Sequence, residues 1–275
     1  IDDCGLYCLK QFEQNFDTEY NSFWDAKAGE SEFSAFYVEP IQGTGGYVIP
    51  PPGYFPGLKK ILDERHVLLV DDEIQMGFFR AGTFWAIENF GVTPDIMVFG
   101  KALTNGLNPL SGIWAREDLI SPERFPPGST HSTFSSNTLG TAVALEAVRM
   151  MADHDYEEMT RRKGAYFLAQ LQALKRRFPK VIGDVDGMGM ALRIEICRED
   201  GHEPDRELTD AIFAAGMKGD LDARGKKMGL VLDVGGYFKN VFTLAPCFEI
   251  TEHEIDLAVE LIEQLIRRCA PRDRV

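Results

Sequence analysis

No apolar run in this 275-residue chain approaches the roughly 18 to 20 residues that a membrane-crossing helix needs, so no membrane partner is expected. Positive charge is also short. The 29 Lys and Arg against 43 Asp and Glu leave a formal net charge of −14 and no basic stripe to neutralise phosphates. That balance argues against nucleic acid and anionic membranes. Cysteines are few, odd in number and scattered (Cys4, Cys8, Cys197, Cys247, Cys269), the usage of reduced thiols in a cytoplasmic protein. Cys4 and Cys8 are spaced to share a helix face, but no second ligand pair lies nearby, so packing outweighs metal binding and no metal is expected. The opening Ile1-Asp2-Asp3-Cys4 lacks an initiator Met and the basic region of a secretory signal. No internal repeat or low-complexity segment stands out.

What is present describes an ordinary globular protein, 44% hydrophobic and 26% charged. The length suggests about two domains, each able to bury a core. A helical stretch over 5–17 precedes Ala35-Phe36-Tyr37-Val38, which reads as a buried strand. The Gly/Pro-rich run from Gly43 to Gly53 supports neither helix nor central strand. A helix over 54–65 feeds a strand over 67–70, and a short helix over 84–90 feeds a strand over 95–99. Another strand follows over 111–115. Apolar runs alternating with helical pieces indicate an α/β fold with a mostly parallel sheet, whose ligands gather at the carboxyl ends of the strands. Helices over 137–151 and 156–177 come next. Strands near 182–197, 229–233 and 240–245 then surround a helix over 205–224. The last helix opens with the capping-box spacing Thr251-Glu252-His253-Glu254, and Ile255, Val259, Ile262 and Ile266 fall on one face. A boundary near residue 153 divides the chain into units 1–153 and 154–275.

Two strand ends carry the chemistry. Val67-Leu68-Leu69-Val70 delivers Asp71-Asp72-Glu73, and Ile96-Met97-Val98-Phe99 delivers Gly100-Lys101. An amine and a carboxylate in such positions are what pyridoxal 5′-phosphate (PLP) requires. The lysine forms the Schiff base, and the aspartate keeps the pyridine nitrogen protonated so that the ring draws electrons. The same acidic strand end also matches the magnesium-binding strand of P-loop ATPases. That alternative needs G-x-x-x-x-G-K-[ST], whereas Gly100-Lys101 is followed by Ala102. Arg80 reads as a structural tie between a loop and a carboxylate, His131 as either a helix cap or a site-lining residue, and Gly43–Gly46 as a flexible loop rather than a phosphate cradle.

Further segments stand in order: Val38-Glu39-Pro40-Ile41-Gln42-Gly43, Asp72-Glu73-Ile74-Gln75-Met76-Gly77-Phe78-Phe79-Arg80-Ala81-Gly82, Gly100-Lys101, and Thr133-Phe134-Ser135-Ser136-Asn137 at a helix N-terminus. Together they closely resemble the class III (ω-) aminotransferases of PLP fold type I, from about Phe36 to the C-terminus. The resemblance implies a large PLP-binding domain with a mostly parallel sheet and a smaller α/β C-terminal domain. It implies that Lys101 is the Schiff-base lysine and proton shuttle, that Asp72 pairs with the pyridinium, and that Gln75 bonds the ring hydroxyl. Thr133 would reach the PLP phosphate of a neighbouring subunit, so a homodimer with shared sites is expected, and Glu39 would stand near the substrate side chain. The implied reaction is ping-pong amino transfer from an amine or amino acid to a keto acid, aldehyde or ketone. An aminomutase or amino-acid racemase of the same fold, and a non-catalytic dimerisation module, are the alternatives.

The sequence departs from the family pattern twice. Members carry a Gly/Ser-rich phosphate-binding turn and a ring-stacking aromatic upstream of the Val-Glu-Pro strand, and nothing in residues 1–35 fits either role, so the chain reads as part of a longer enzyme or of a larger multidomain protein. In Asn240-Val241-Phe242-Thr243-Leu244-Ala245-Pro246, Thr243 stands where many relatives place an arginine that grips a carboxylate bidentately. Either Glu39 is free to receive a cationic or hydroxylated side chain, or Lys239 or a residue in the missing upstream segment takes over carboxylate binding. On the first reading one substrate is an amine or an amino-sugar-like compound. Assays with amines and α-amino acids against a keto-acid acceptor are then expected to show amine turnover, and strict α-amino acid specificity would exclude that reading.

Overall fold

The computed structural model describes residues 4–199 and 201–275, with the side chains of 4 and 5 excepted. The reading of the first three residues, and of a helix face shared by the Cys4 side chain, lies outside the described residues. The described residues form two compact units: those up to 41, 50–78 and 83–155 make the first, and those in 42–49, 79–82 and from 156 onward the second.

In the first unit, α1 (Cys4–Gln14) is followed by the two-residue strands β1 (Trp24–Asp25) and β2 (Glu30–Ser31), which pair with each other. Strand β3 (Ala35–Val38), helix α2 (Tyr54–Glu64), β4 (Leu68–Asp72), β5 (Ile96–Phe99), β6 (Gly112–Ala115) and α3 (Thr138–Asp153) complete it. Helix α2 forms because Phe55, Leu58, Ile61 and Leu62 recur at helical spacing and bury one stripe. Pro56 falls in its first turn, where a missing N–H costs nothing. The sheet order is β3-β4-β5-β6, with β3, β4 and β5 parallel and β6 antiparallel to β5.

Strand β3 is not buried as its composition suggests. It is the edge strand, and its residues alternate between exposed and half-buried, with Tyr37 60% exposed. The segment over 84–90 is a 3₁₀ turn, Ala86–Phe90, closed by Gly91 at φ 66°.

The strands of this unit are clamped at their starts by Asp95. Its Oδ2 accepts the Leu69 amide at 2.8 Å, its Oδ1 pairs with Arg116, and Lys59 approaches to 3.6 Å. The Asp95 backbone also bonds Leu69 O and accepts Arg116 N–H. Asp95 is only 4% exposed, so this neutralisation is what makes its burial tolerable.

The second unit contains α4 (Tyr156–Arg177), β7 (Ile182–Met188), β8 (Ala191–Ile196), α5 (Arg206–Gly216), β9 (Leu221–Ala223), β10 (Lys226–Met228), β11 (Asp233–Gly235), β12 (Val241–Leu244) and α6 (Glu252–Cys269). Its main sheet, in order β11-β12-β8-β7, is antiparallel throughout. Leu171, Leu174, Ile194, Phe242, Ile262 and Leu265 belong to one buried core in this unit. The capping box at α6 forms as its spacing indicates: the Thr251 hydroxyl accepts from Glu254 N, and Thr251 N donates to the Glu254 carboxylate. Ile255, Val259, Ile262 and Ile266 are buried together.

The helix expected over 205–224 stops at Gly216. Gly219 at φ 67° and the pair Arg224–Gly225, at φ 52° and 75°, turn the backbone left-handed, and the β9–β10 hairpin replaces the last two turns. The strand expected over 229–233 begins only at Asp233.

Among the described residues, no helix is long and apolar enough to cross a membrane. Asp95→Ala is expected to cost about 3 kcal/mol, because it leaves the buried Leu69 amide without its acceptor and takes one of two carboxylate partners from each of Arg116 and Lys59. Asp95→Asn, which keeps an acceptor, should lose less, as read by urea unfolding.

Candidate active site

Parallel pairing brings the candidate amine and carboxylate to the same end of the first unit's sheet. Asp72 on β4 is in register with Val98 on β5, and Lys101 lies three residues beyond Val98. Gly100 takes extended backbone, and there is little room beside it. A Cβ at this position would stand 3.1 Å from Ile74 Cδ1 and 3.3 Å from Ser111 Cβ. Lys101 itself adopts φ 40°, a left-handed conformation that an L-residue other than glycine takes at a cost of about 1–3 kcal/mol. Such strain clusters at functional positions.

The Lys101 Nζ donates to Gln75 Oε1 at 3.4 Å. Around it opens a cavity of about 710 Å³, a size suited to a small cofactor. Ile74 and Leu110 supply apolar lining, and Thr104, Asn108, Ser132 and Ser135 supply polar lining. Thr133 is exposed and is not among the lining residues, although its neighbours on both sides are. The turn containing it ends at α3, whose N-cap is Asn137: its Oδ1 accepts from Gly140 N at 2.6 Å. His131 is exposed and does not cap that helix.

Asp72 has its own surroundings. Its Oδ1 accepts from the Ile74 amide at 3.0 Å, and the Tyr37 phenol donates to its carboxylate. Burial first, and then the Asp72 carboxylate, push the Tyr37 phenol above its usual range, with Glu39 adding a further negative charge nearby. Tyr37, Glu39 and Asp72 therefore belong to one acidic group at the β3–β4 edge. Tyr37 and Ile74 were not singled out from the sequence. Tyr37 was readable in principle, because period-two alternation puts it on the same strand face as Glu39. Ile74 needed the tertiary cavity.

In the second unit, Arg80 ties backbone rather than a carboxylate. Its guanidinium donates to Met190 O (3.3 Å) and Pro246 O (2.7 Å) and lies 4.5 Å from the centre of the Phe248 ring. The Thr243 hydroxyl donates to the Asp233 carboxylate. The loop at Gly43–Gly46 is anchored by the donation of Gly236 N to Thr44 O at 3.0 Å.

Comparisons with known proteins agree with this geometry. The family Aminotransferase class-III matches residues 8–266. An alanine/serine racemase of Pyrococcus horikoshii is 34% identical over 236 residues, covering 86% of this chain and 47% of that protein. An ornithine aminotransferase of Bordetella pertussis is 35% identical over 237 residues, covering 86% and 52%. A transaminase from the marine bacterium Virgibacillus superposes with a TM-score of 0.83 at 25% identity, covering 96% of this chain and 57% of that one. The chain thus spans about half the length of the curated relatives it matches. A family match across nearly all of the sequence, on an α/β unit that ends its strands in Asp72 and Lys101, makes this chain a member of the class III aminotransferases, PLP-dependent enzymes of fold type I.

Proposed function

We propose that the protein to which this chain belongs is a PLP-dependent aminotransferase, moving an amino group from an amine or amino-acid donor to a keto acid, aldehyde or ketone. The observation that carries this reading is Lys101, held in a strained turn beside Gln75 in the cavity, one strand away from Asp72. The residues fit PLP. The cavity offers an amine, an apolar wall at Ile74, and hydroxyls at Ser132 and Ser135, while Gly100 leaves space that a Cβ would narrow.

Bound PLP supplies an aldehyde for covalent capture of amines and an electron-withdrawing ring. Lys101 Nζ would hold it and would serve as the group that moves a proton at the substrate Cα. Asp72, at the end of the neighbouring strand, would hold the proton on the ring nitrogen. Gln75 bonds the ring hydroxyl and Glu39 receives the substrate side chain. Thr133 reaches the phosphate in a partner subunit of a homodimer, in keeping with its exposed position outside this chain's own cavity. Residues 1–153 then form part of the large PLP-binding domain and 154–275 the smaller domain, in a cytoplasmic enzyme acting on small molecules.

Racemisation is the second reading, favoured by the similarity to an alanine/serine racemase. It uses the same lysine and aspartate and differs in where the proton returns. Borohydride reduction of the full-length protein with PLP is expected to leave a stable adduct on Lys101, located by peptide mass, and Lys101→Ala should abolish it. Keto-product release from the donor marks transfer, and racemised substrate without keto product marks the alternative. A folded full-length dimer that forms no adduct would overturn both.

A further inference from the structure

Strand β4 ends in three consecutive acids, and alternation along the strand sends Asp71 and Glu73 to the face opposite Asp72. Both are fully removed from solvent, at 0% exposure. The residues paired with Asp71 across the sheet are Val38 on β3 and Met97 on β5, both apolar. Glu73 sits against the 3₁₀ turn Ala86–Phe90. Its Oε1 accepts the Ile87 amide at 2.8 Å, the Ala86 amide also bonds it, and its own amide donates to Val98 O.

Both oxygens of Asp71 and Oε2 of Glu73 are buried with no hydrogen-bond donor to them among the described residues. The other charged groups acting on the pair are Asp72 on the same strand and Glu88 on the 3₁₀ turn, both acidic. Among the described residues, no cation pairs with either carboxyl.

Two ionised carboxylates cannot share a dry site without a counter-ion, because the desolvation cost and their mutual repulsion add. One proton relieves both. We propose that Asp71 is a neutral carboxylic acid that donates its proton to Oε2 of Glu73, so that the pair carries one proton and one charge and fastens the Ala86–Phe90 turn to the end of β4. Glu73 is the anionic member because two backbone amides at the start of the turn already stabilise its charge. Asp71 has no such donors. Burial first, and then the Glu73 charge, push the Asp71 carboxyl far above the usual carboxylate range. Burial raises Glu73 as well, while the Ile87 and Ala86 amides draw it back.

The shared proton requires no cofactor, and its consequence for stability has a fixed sign. An acid whose folded-state pKa is raised contributes full stability below the unfolded carboxylate pKa. That contribution is lost steadily as pH rises from there through the raised value. Asp71→Asn keeps the shape and a donor to Glu73 but has no proton to lose.

Infrared spectra of the full-length protein at about pH 8, well above the ordinary carboxylate pKa, are expected to show a protonated-carboxyl stretch. It should shift with ¹³C-labelled aspartate, stay put with labelled glutamate, and vanish in Asp71→Asn. The melting temperature of the wild type should fall by several degrees more than that of Asp71→Asn between about pH 5 and 8, a window above the unfolded carboxylate pKa. If Asp71→Asn does not fold, Glu73→Gln, which exchanges the carboxylate acceptor of the Asp71 proton for an amide oxygen, should shift the aspartate band, and an unmoved band would overturn the pairing. Absence of the band in the wild type, a shift with labelled glutamate, or parallel melting profiles would each overturn the shared proton.

Discussion

The parallel pairing of β4 with β5 is the constraint on which the rest of the first unit depends. It sets Asp72 opposite Val98 and thereby fixes how far beyond the sheet edge Lys101 emerges. Asp95 holds the opposite end of the same strands by neutralising itself against Arg116 and Lys59 while capturing the Leu69 amide. Beyond the paired strand, Gly100 leaves little room for a Cβ, and Lys101 takes a left-handed turn. The strain at Lys101, about 1–3 kcal/mol, is sustained because the surrounding sheet over-determines it.

The same pairing sorts the acids. One face of β4 receives Asp72 with Tyr37, while the other encloses Asp71 with Glu73. Three adjacent carboxyls in sequence thus enter two different electrostatic environments. On the Asp72 side, a phenol and a backbone amide donate to the carboxylate. On the other side no donor among the described residues reaches Asp71, so charge is disfavoured there. A strand pleat therefore gives adjacent carboxyls different surroundings over a single residue step.

Much of the local architecture was legible from residue patterns. Helix α2 could be read from the spacing of Phe55, Leu58 and Leu62, and α6 from the capping box at Thr251 with the stripe from Ile255 to Ile266. The misreadings share a cause. The pattern Ala35-Phe36-Tyr37-Val38 is apolar enough for a buried strand, but burial depends on neighbours, and β3 is an edge. The run 205–224 has helical composition, but Gly219 and Arg224–Gly225 impose left-handed turns, and the main-chain pairing of β9 with β10 outweighs propensity.

By itself the sequence determined which residues end the strands. Runs of apolar residues closed by Asp72 and by Gly100-Lys101 are local statements, because extended backbone and its termination depend on side chains adjacent in the chain. The tertiary structure alone decided what those residues meet: Tyr37 against Asp72, Gln75 against Lys101, backbone carbonyls rather than a carboxylate around Arg80, and the Glu73 carboxyl beside Asp71. Hydrogen-bond partners and desolvation come from segments distant in sequence, and no pattern within one segment encodes them.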